Sequence, residues 1–163
     1  MVTAGSIQPE LDPLMKISGS ISEILNRKPT DVWTVGPNDT VFEAIKLMAE
    51  RNIGAVPVVD GGAVAGILSE RDYTRKIVLC GKSSKTTAVS EIMSSPVRTV
   101  GPDESIDSCM QIITAKRCRH LPVVRDGKLV GMISIGDLVN WTISAQSAAL
   151  DQMENYIMGG YAA

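Results

Sequence analysis

The sequence predicts an α/β protein, α+β by some schemes, built from two β-α-β-β-α repeats packed face to face around a pseudo-twofold axis. Three observations carry this. Thr34-Val35-Gly36-Pro37 recurs as Thr99-Val100-Gly101-Pro102, 65 residues later. The same offset lays Val56-Pro57-Val58-Val59 on Leu121-Pro122-Val123-Val124 and residues 66–72 on 131–137, with no gap between. Inside each copy, short β-branched runs alternate with a helical apolar face, and a unit of roughly sixty residues buries too little surface to stand alone.

The elements follow in order. Residues 1–20 read as an N-terminal extension; they lack both the basic start with an apolar run of a secretory signal and the Arg-rich character of a transit peptide. Repeat one is placed at 21–80. Ile21-Ser22-Glu23-Ile24-Leu25 matches Val89-Ser90-Glu91-Ile92-Met93 at an offset of 68, so copy one has three extra residues before Thr34, in a loop. Residues 32–35 are predicted as a short strand, punctuated by Gly36-Pro37. Thr40 and Glu43 form a capping box, and Val41, Ala44, Ile45, Leu47 and Met48 give a helical face to about Arg51. Residues 56–59 and 64–68 form a hairpin about Asp60-Gly61-Gly62, and a helix runs from Ser69 to about Leu79.

After a linker at 81–88, repeat two at 89–143 follows the same plan: a strand at 97–100, a helix at 106–117, strands at 121–124 and 129–133 around Asp126-Gly127, and a helix from about Ile135. Residues 144–163 are predicted as a C-terminal helix and tail. Its Leu150, Met153, Tyr156 and Ile157 recur at helical spacing before a Gly159-Gly160 cap, a face suited to pack on the pair or on a second subunit. Pro57 and Pro122 lack the N–H that a central ladder uses, so their strands should open toward an edge or a cleft.

Composition narrows the function. A net charge of −2 without a basic block speaks against nucleic-acid binding, and no apolar run approaches the roughly 20 residues of a membrane span. Cys80, Cys109 and Cys118 have no zinc or disulfide spacing, and Cys109 and Cys118 read as small apolar residues. His120 is the only histidine and pairs with no nucleophile, so no catalytic residue and no metal site is assigned. A cytoplasmic protein is expected.

The stretch Gly66-Ile67-Leu68-Ser69-Glu70-Arg71-Asp72 and its copy ending in Ser134-Ile135-Gly136-Asp137 admit two readings. Ser followed by an acid three residues on is a helix capping box. The same pair also suits a ligand, because free helix N–H groups favour phosphate and a carboxylate can accept both hydroxyls of a ribose.

With the Thr-Val-Gly-Pro, apolar-Pro-Val-Val, strand-glycine and Ser-x-x-Asp elements all duplicated in register, residues 21–142 resemble the tandem cystathionine-β-synthase (CBS) domain pair, or Bateman module. The resemblance implies a regulatory module with two clefts for adenine nucleotides such as AMP, ADP or ATP, sometimes NAD or S-adenosylmethionine, and a flat dimer. It implies that Asp72 and Asp137 hold ribose while Ser69 and Ser134 lie near phosphate. Arg71, Arg119 and His120 are the implied phosphate cations, and the shared motifs add Thr34, Thr99, Ala55, Pro57 and Leu121 to the expected nucleotide-binding set. Only copy two carries a dense cationic run, Lys116 to His120, although Lys116 and Arg117 read as a solvated helix end. The Asp72 cleft, completed by Arg119 and His120, is therefore expected to bind more tightly than the Asp137 cleft, which receives Arg71 and the room left by Gly54 and Ala55. Trp33 reads as a core aromatic, with stacking on adenine as the alternative.

The function expected is an adenine-nucleotide or NAD sensor, not an enzyme, with no catalytic cofactor. It would form a homodimer and act on an unidentified regulated protein, with no nucleic-acid or membrane partner. The alternative is an interaction scaffold with vestigial clefts and no physiological nucleotide.

Overall fold

The computed structural model describes residues 17–159. In chain order the elements are α1 (Ile21–Leu25), α2 (Val41–Arg51), β1 (Ala55–Asp60), β2 (Ala63–Ser69), α3 (Glu70–Tyr73), α4 (Val89–Ile92), α5 (Ile106–Lys116), β3 (His120–Arg125), β4 (Lys128–Ser134) and α6 (Ile135–Gly159). After α3 the chain continues through a π-helical turn, Thr74–Val78, where one regular helix was predicted.

Local chemistry fixes most of these boundaries. Thr40 Oγ1 accepts from the Glu43 amide at 3.2 Å while Glu43 Oε2 accepts from the Thr40 amide at 3.0 Å, which starts α2 with two orphan N–H groups satisfied. Asn52 and Arg117 end α2 and α5 in the left-handed conformation at φ 52° and 51°. The β1–β2 turn is Gly61-Gly62, with φ 55° and 86°, and Asp126-Gly127 at 50° and 76° makes the equivalent turn between β3 and β4. Positive φ at both turn residues is what a type I′ hairpin turn requires.

Each hairpin is a two-stranded antiparallel sheet, and both carry an irregularity at the same place, between Val58 and Val59 and between Val123 and Val124. The strands predicted at 32–35 and 97–100 are each reduced to one parallel bridge, Val35 to Val58 and Val100 to Val123. Gly36-Pro37 and Gly101-Pro102 turn the chain away before a second pair forms. The bridges explain the prolines. Pro57 O accepts from Val35 N at 3.2 Å and Pro122 O from Val100 N at 3.0 Å, so each proline nitrogen faces the outer side of its hairpin, where no full ladder demands a donor.

The packed unit is offset from the sequence repeat by one helix. Val41, Met48, Val56, Val58, Leu68 and Ile77 share a core with Val89 and Ile92 of α4. Ile21 and Ile24 of α1 are buried instead with Ile106, Leu121, Val123, Ile133 and Leu138. Each repeat thus lends its first helix to the other's core, while β2 lies against β4 across the pseudo-twofold. A glycine in each second strand makes room for the visiting helix: Gly66 faces Met93 and Ser94, and Gly131 faces Leu25. Cys109 is fully buried, and burial with the nearby Glu104 charge pushes its thiol up to about 11, so it behaves as a small apolar group.

Helix α6 runs through residue 144 without a break, because no proline or glycine interrupts residues 137–158. Leu138 and Trp141 belong to the core, but Ile143, Leu150, Met153, Tyr156 and Ile157 are exposed, so the expected face does not pack on the pair. Residues 1–16 of the expected extension, and Gly160 of the expected cap, lie outside the described residues. Among the described residues no helix is long and apolar enough to cross a membrane.

Candidate functional site

Both Ser-x-x-Asp motifs sit where a strand ends and a helix starts, and both form the capping box. Ser69 N and Oγ donate to Asp72 Oδ2 at 3.0 and 2.9 Å, and the Asp72 amide donates back to Ser69 Oγ at 3.2 Å. Ser134 and Asp137 repeat this at 2.8, 2.9 and 3.2 Å.

The second carboxylate oxygen distinguishes the two motifs. Asp72 Oδ1 accepts from Lys76 Nζ at 2.9 Å and from Ser94 Oγ at 3.2 Å, and the residue is 8% exposed. The segment after α4 closes over it: Ser94 exchanges backbone hydrogen bonds with Ile67, and Ser95 Oγ donates to Ala65 O at 2.9 Å. Asp137 instead receives Lys28 Nζ on Oδ2 at 2.7 Å. Its Oδ1 has no hydrogen-bond partner among the described residues.

Beside Ser134 lies a cavity of about 600 Å³, which the three-residue-longer loop, residues 26–33, walls on one side. Gly54, Ala55 and Pro57 wall the other, and Lys28, Arg51, His120 and Arg125 supply positive or protonatable groups against the single acid, Asp31. Trp33 also faces the cavity, its ring 3.8 Å from the Arg51 guanidinium carbon, rather than filling a core as an aromatic in a strand does. A site with this balance suits an anionic ligand with an aromatic part, and its volume falls within the roughly 300–1,000 Å³ of small-molecule pockets.

Of the residues singled out from sequence, Ser134, His120, Ala55 and Pro57 line this cavity; Asp137 does not, but it is hydrogen-bonded to two residues that do, Ser134 and Lys28. Ser69 and Asp72 form the closed counterpart. Arg71, Arg119 and Thr34 are exposed and Thr99 is half-buried, none of them on the cavity, and Leu121 is a core residue at 1% exposure. The open space thus lies beside Ser134, and His120, expected to complete the Asp72 cleft, lines it instead. Sequence reasoning missed Lys28, Arg51 and Arg125. The three-residue insertion was the available signal for Lys28; the other two had none.

Titration follows the geometry. Burial pushes the Asp137 carboxyl up, but the Lys28 hydrogen bond and charge, with the Ser134 amide and hydroxyl, outweigh it and hold the group below its ordinary 3.8. Burial holds the His120 imidazole below 6.5, reinforced by the Lys28 and Arg119 charges and opposed by Asp137 and Glu70. The unfolded chain therefore binds this proton more readily. The neutral ring's contribution to stability is complete above pH 6.5 and falls as pH drops from 6.5 toward the folded value. As the sole histidine, His120 gives one NMR titration, whose midpoint is expected below 6.5; a midpoint at or above 6.5 contradicts the buried, cation-flanked position.

Residues 21–79 and 89–144 each match the model of the CBS domain. The chain is 40% identical over 154 residues to the mitochondrial CBS domain-containing protein CBSX3 of Arabidopsis thaliana, spanning 88% of this chain and 74% of that protein. It is 36% identical to the CBS domain-containing protein YhcV of Bacillus subtilis, over 78% of this chain and 91% of that one. Among solved structures it is similar to a CBS-domain protein from Burkholderia ambifaria MC40-6, with 53% identity and a TM-score of 0.75 over 78% of this chain and 96% of the other. It is also similar to the hexameric CBS-CP12 protein from bloom-forming cyanobacteria, with 30% identity and a TM-score of 0.67 over 74% and 70%.

Proposed function

Because the chain belongs to the CBS-domain family, with one domain in each repeat, we propose that it is a regulatory protein that binds an adenine nucleotide in the Asp137 cleft and passes the binding state to a separate protein. The observation that supports this most directly is the roughly 600 Å³ cavity that runs beside Ser134 and gathers Lys28, Arg51, His120 and Arg125. In this reading Asp137 Oδ1 accepts from ribose, the cations face phosphate, and the Trp33 ring offers a stacking surface. The Asp72 cleft, whose carboxylate is already fully hydrogen-bonded, takes no ligand unless the segment after α4 moves. The exposed apolar face of α6 supports a homodimer, since Leu150, Met153 and Ile157 follow the three-and-four spacing of a helix–helix seam.

A thermal-shift screen of AMP, ADP, ATP, NAD, NADH and S-adenosylmethionine tests the reading. A ligand at a hundredfold above its Kd stabilises by about 2.7 kcal/mol, roughly 5–10 °C for a chain of this size. Calorimetry on the best ligand is expected to give one site per chain, and light scattering twice the monomer mass. No shift with any of the six returns the protein to the scaffold reading, to which the closed Asp72 cleft already conforms.

A further inference from the structure

We propose that Lys28 is the specificity-determining residue of this cleft: its ammonium receives an anionic phosphate oxygen, so the site prefers phosphorylated adenosine to adenosine itself. The inference rests on the adenine-nucleotide reading above and adds to it the group that selects phosphate.

The two acids obtain their lysines by different routes. Lys76 reaches Asp72 from the π-helical turn that continues α3, four residues on, and also donates to Ile92 O at 2.7 Å. At the repeat offset Trp141 stands where Lys76 would be, so Asp137 has no lysine from its own helix. Its partner is Lys28, 109 residues away, in the loop lengthened by three residues. Lys28 Nζ donates to Asp137 Oδ2 at 2.7 Å and to Met132 O at 3.0 Å, which fixes the ammonium at the cavity wall.

An ammonium has three protons. Two are used here, and among the described residues the third has no acceptor, while the side chain is 33% exposed and lines the cavity. A phosphate oxygen can accept a hydrogen bond from this third N–H without breaking either existing bond, and the long-range anchoring means that no rearrangement precedes it. Lys76 is also bonded twice, but its side chain does not line this cavity, so it has no such position.

The test compares AMP with adenosine by calorimetry on the full chain carrying Lys28→Met or Lys28→Arg, alongside wild type. One charge-assisted hydrogen bond corresponds to about a tenfold to hundredfold change in affinity. Lys28→Met is expected to lose that factor for AMP while adenosine binding stays within about threefold, so that the AMP-to-adenosine preference collapses. Lys28→Arg, which keeps the charge and the donors, should retain most of the preference. Equal losses for both ligands in Lys28→Met would mean that Lys28 only holds the loop, and an unchanged preference would remove it from the phosphate site; either result overturns the inference alone. If wild type binds neither ligand, the adenine-nucleotide reading fails, and the inference with it.

Discussion

Gly66→Ala lowers the unfolding midpoint by about 6–12 °C, the equivalent of roughly 3 kcal/mol of overpacking, and Gly131→Ala lowers it by no more than half as much. The two glycines are repeat equivalents, so the difference between them is the informative quantity. A Cβ on Gly66 would stand 2.7 Å from Met93 Sδ and 2.9 Å from the Ser94 carbonyl oxygen. The sulfur can swing aside. The carbonyl cannot, because it accepts from Ile67 N at 3.1 Å, and Ser94 N donates to Ile67 O at 2.9 Å. Relief at Gly66 must therefore separate the segment after α4 from β2, which also loosens the Ser94 bond to Asp72. At Gly131 the three nearest atoms, from 2.6 to 3.3 Å, all belong to the Leu25 side chain, which has rotamer freedom to yield. Thermal melts of both variants decide the point; equal losses would show that the packing of Leu25 in its core is as unyielding as the Ser94 backbone.

Gly54→Leu has the opposite profile. A Cβ at Gly54 would meet Glu70 Oε2 at 3.7 Å and His120 Cε1 at 3.9 Å, ordinary contacts. Its φ is outside the left-handed region, so the backbone accepts a side chain. The branched end of leucine then occupies the cavity beside His120. Filling space that an adenine nucleotide needs costs on the order of 3 kcal/mol of binding, about a hundredfold in Kd, while the melting midpoint moves by only about 2 °C. Calorimetry with AMP and a thermal melt of the same sample measure both quantities. Undiminished AMP affinity would place the ligand elsewhere, and a melt depressed as far as that of Gly66→Ala would show that the site has no spare room.

The repeat, its element order and the chemistry at each helix start are legible from the residues alone. Duplicated motifs in fixed register need no tertiary information, and the Thr40–Glu43, Ser69–Asp72 and Ser134–Asp137 boxes are local, closing over three residues. Local rules also placed the hairpin turns at Gly61-Gly62 and Asp126-Gly127. What the repeat could not disclose is that α1 and α4 exchange cores, since identical copies look the same whether they pack on themselves or on each other. Nor could it show which cleft is open. Counting cations before each proline favoured the Asp72 cleft, but openness depends on the paths of two loops: the shorter one bonds along β2 and covers Asp72, and the longer one stands off and leaves the cavity beside Ser134. Lys28 reaches Asp137 across 109 residues of chain. Such a pairing follows from how the two halves pack, which no local rule along the chain encodes.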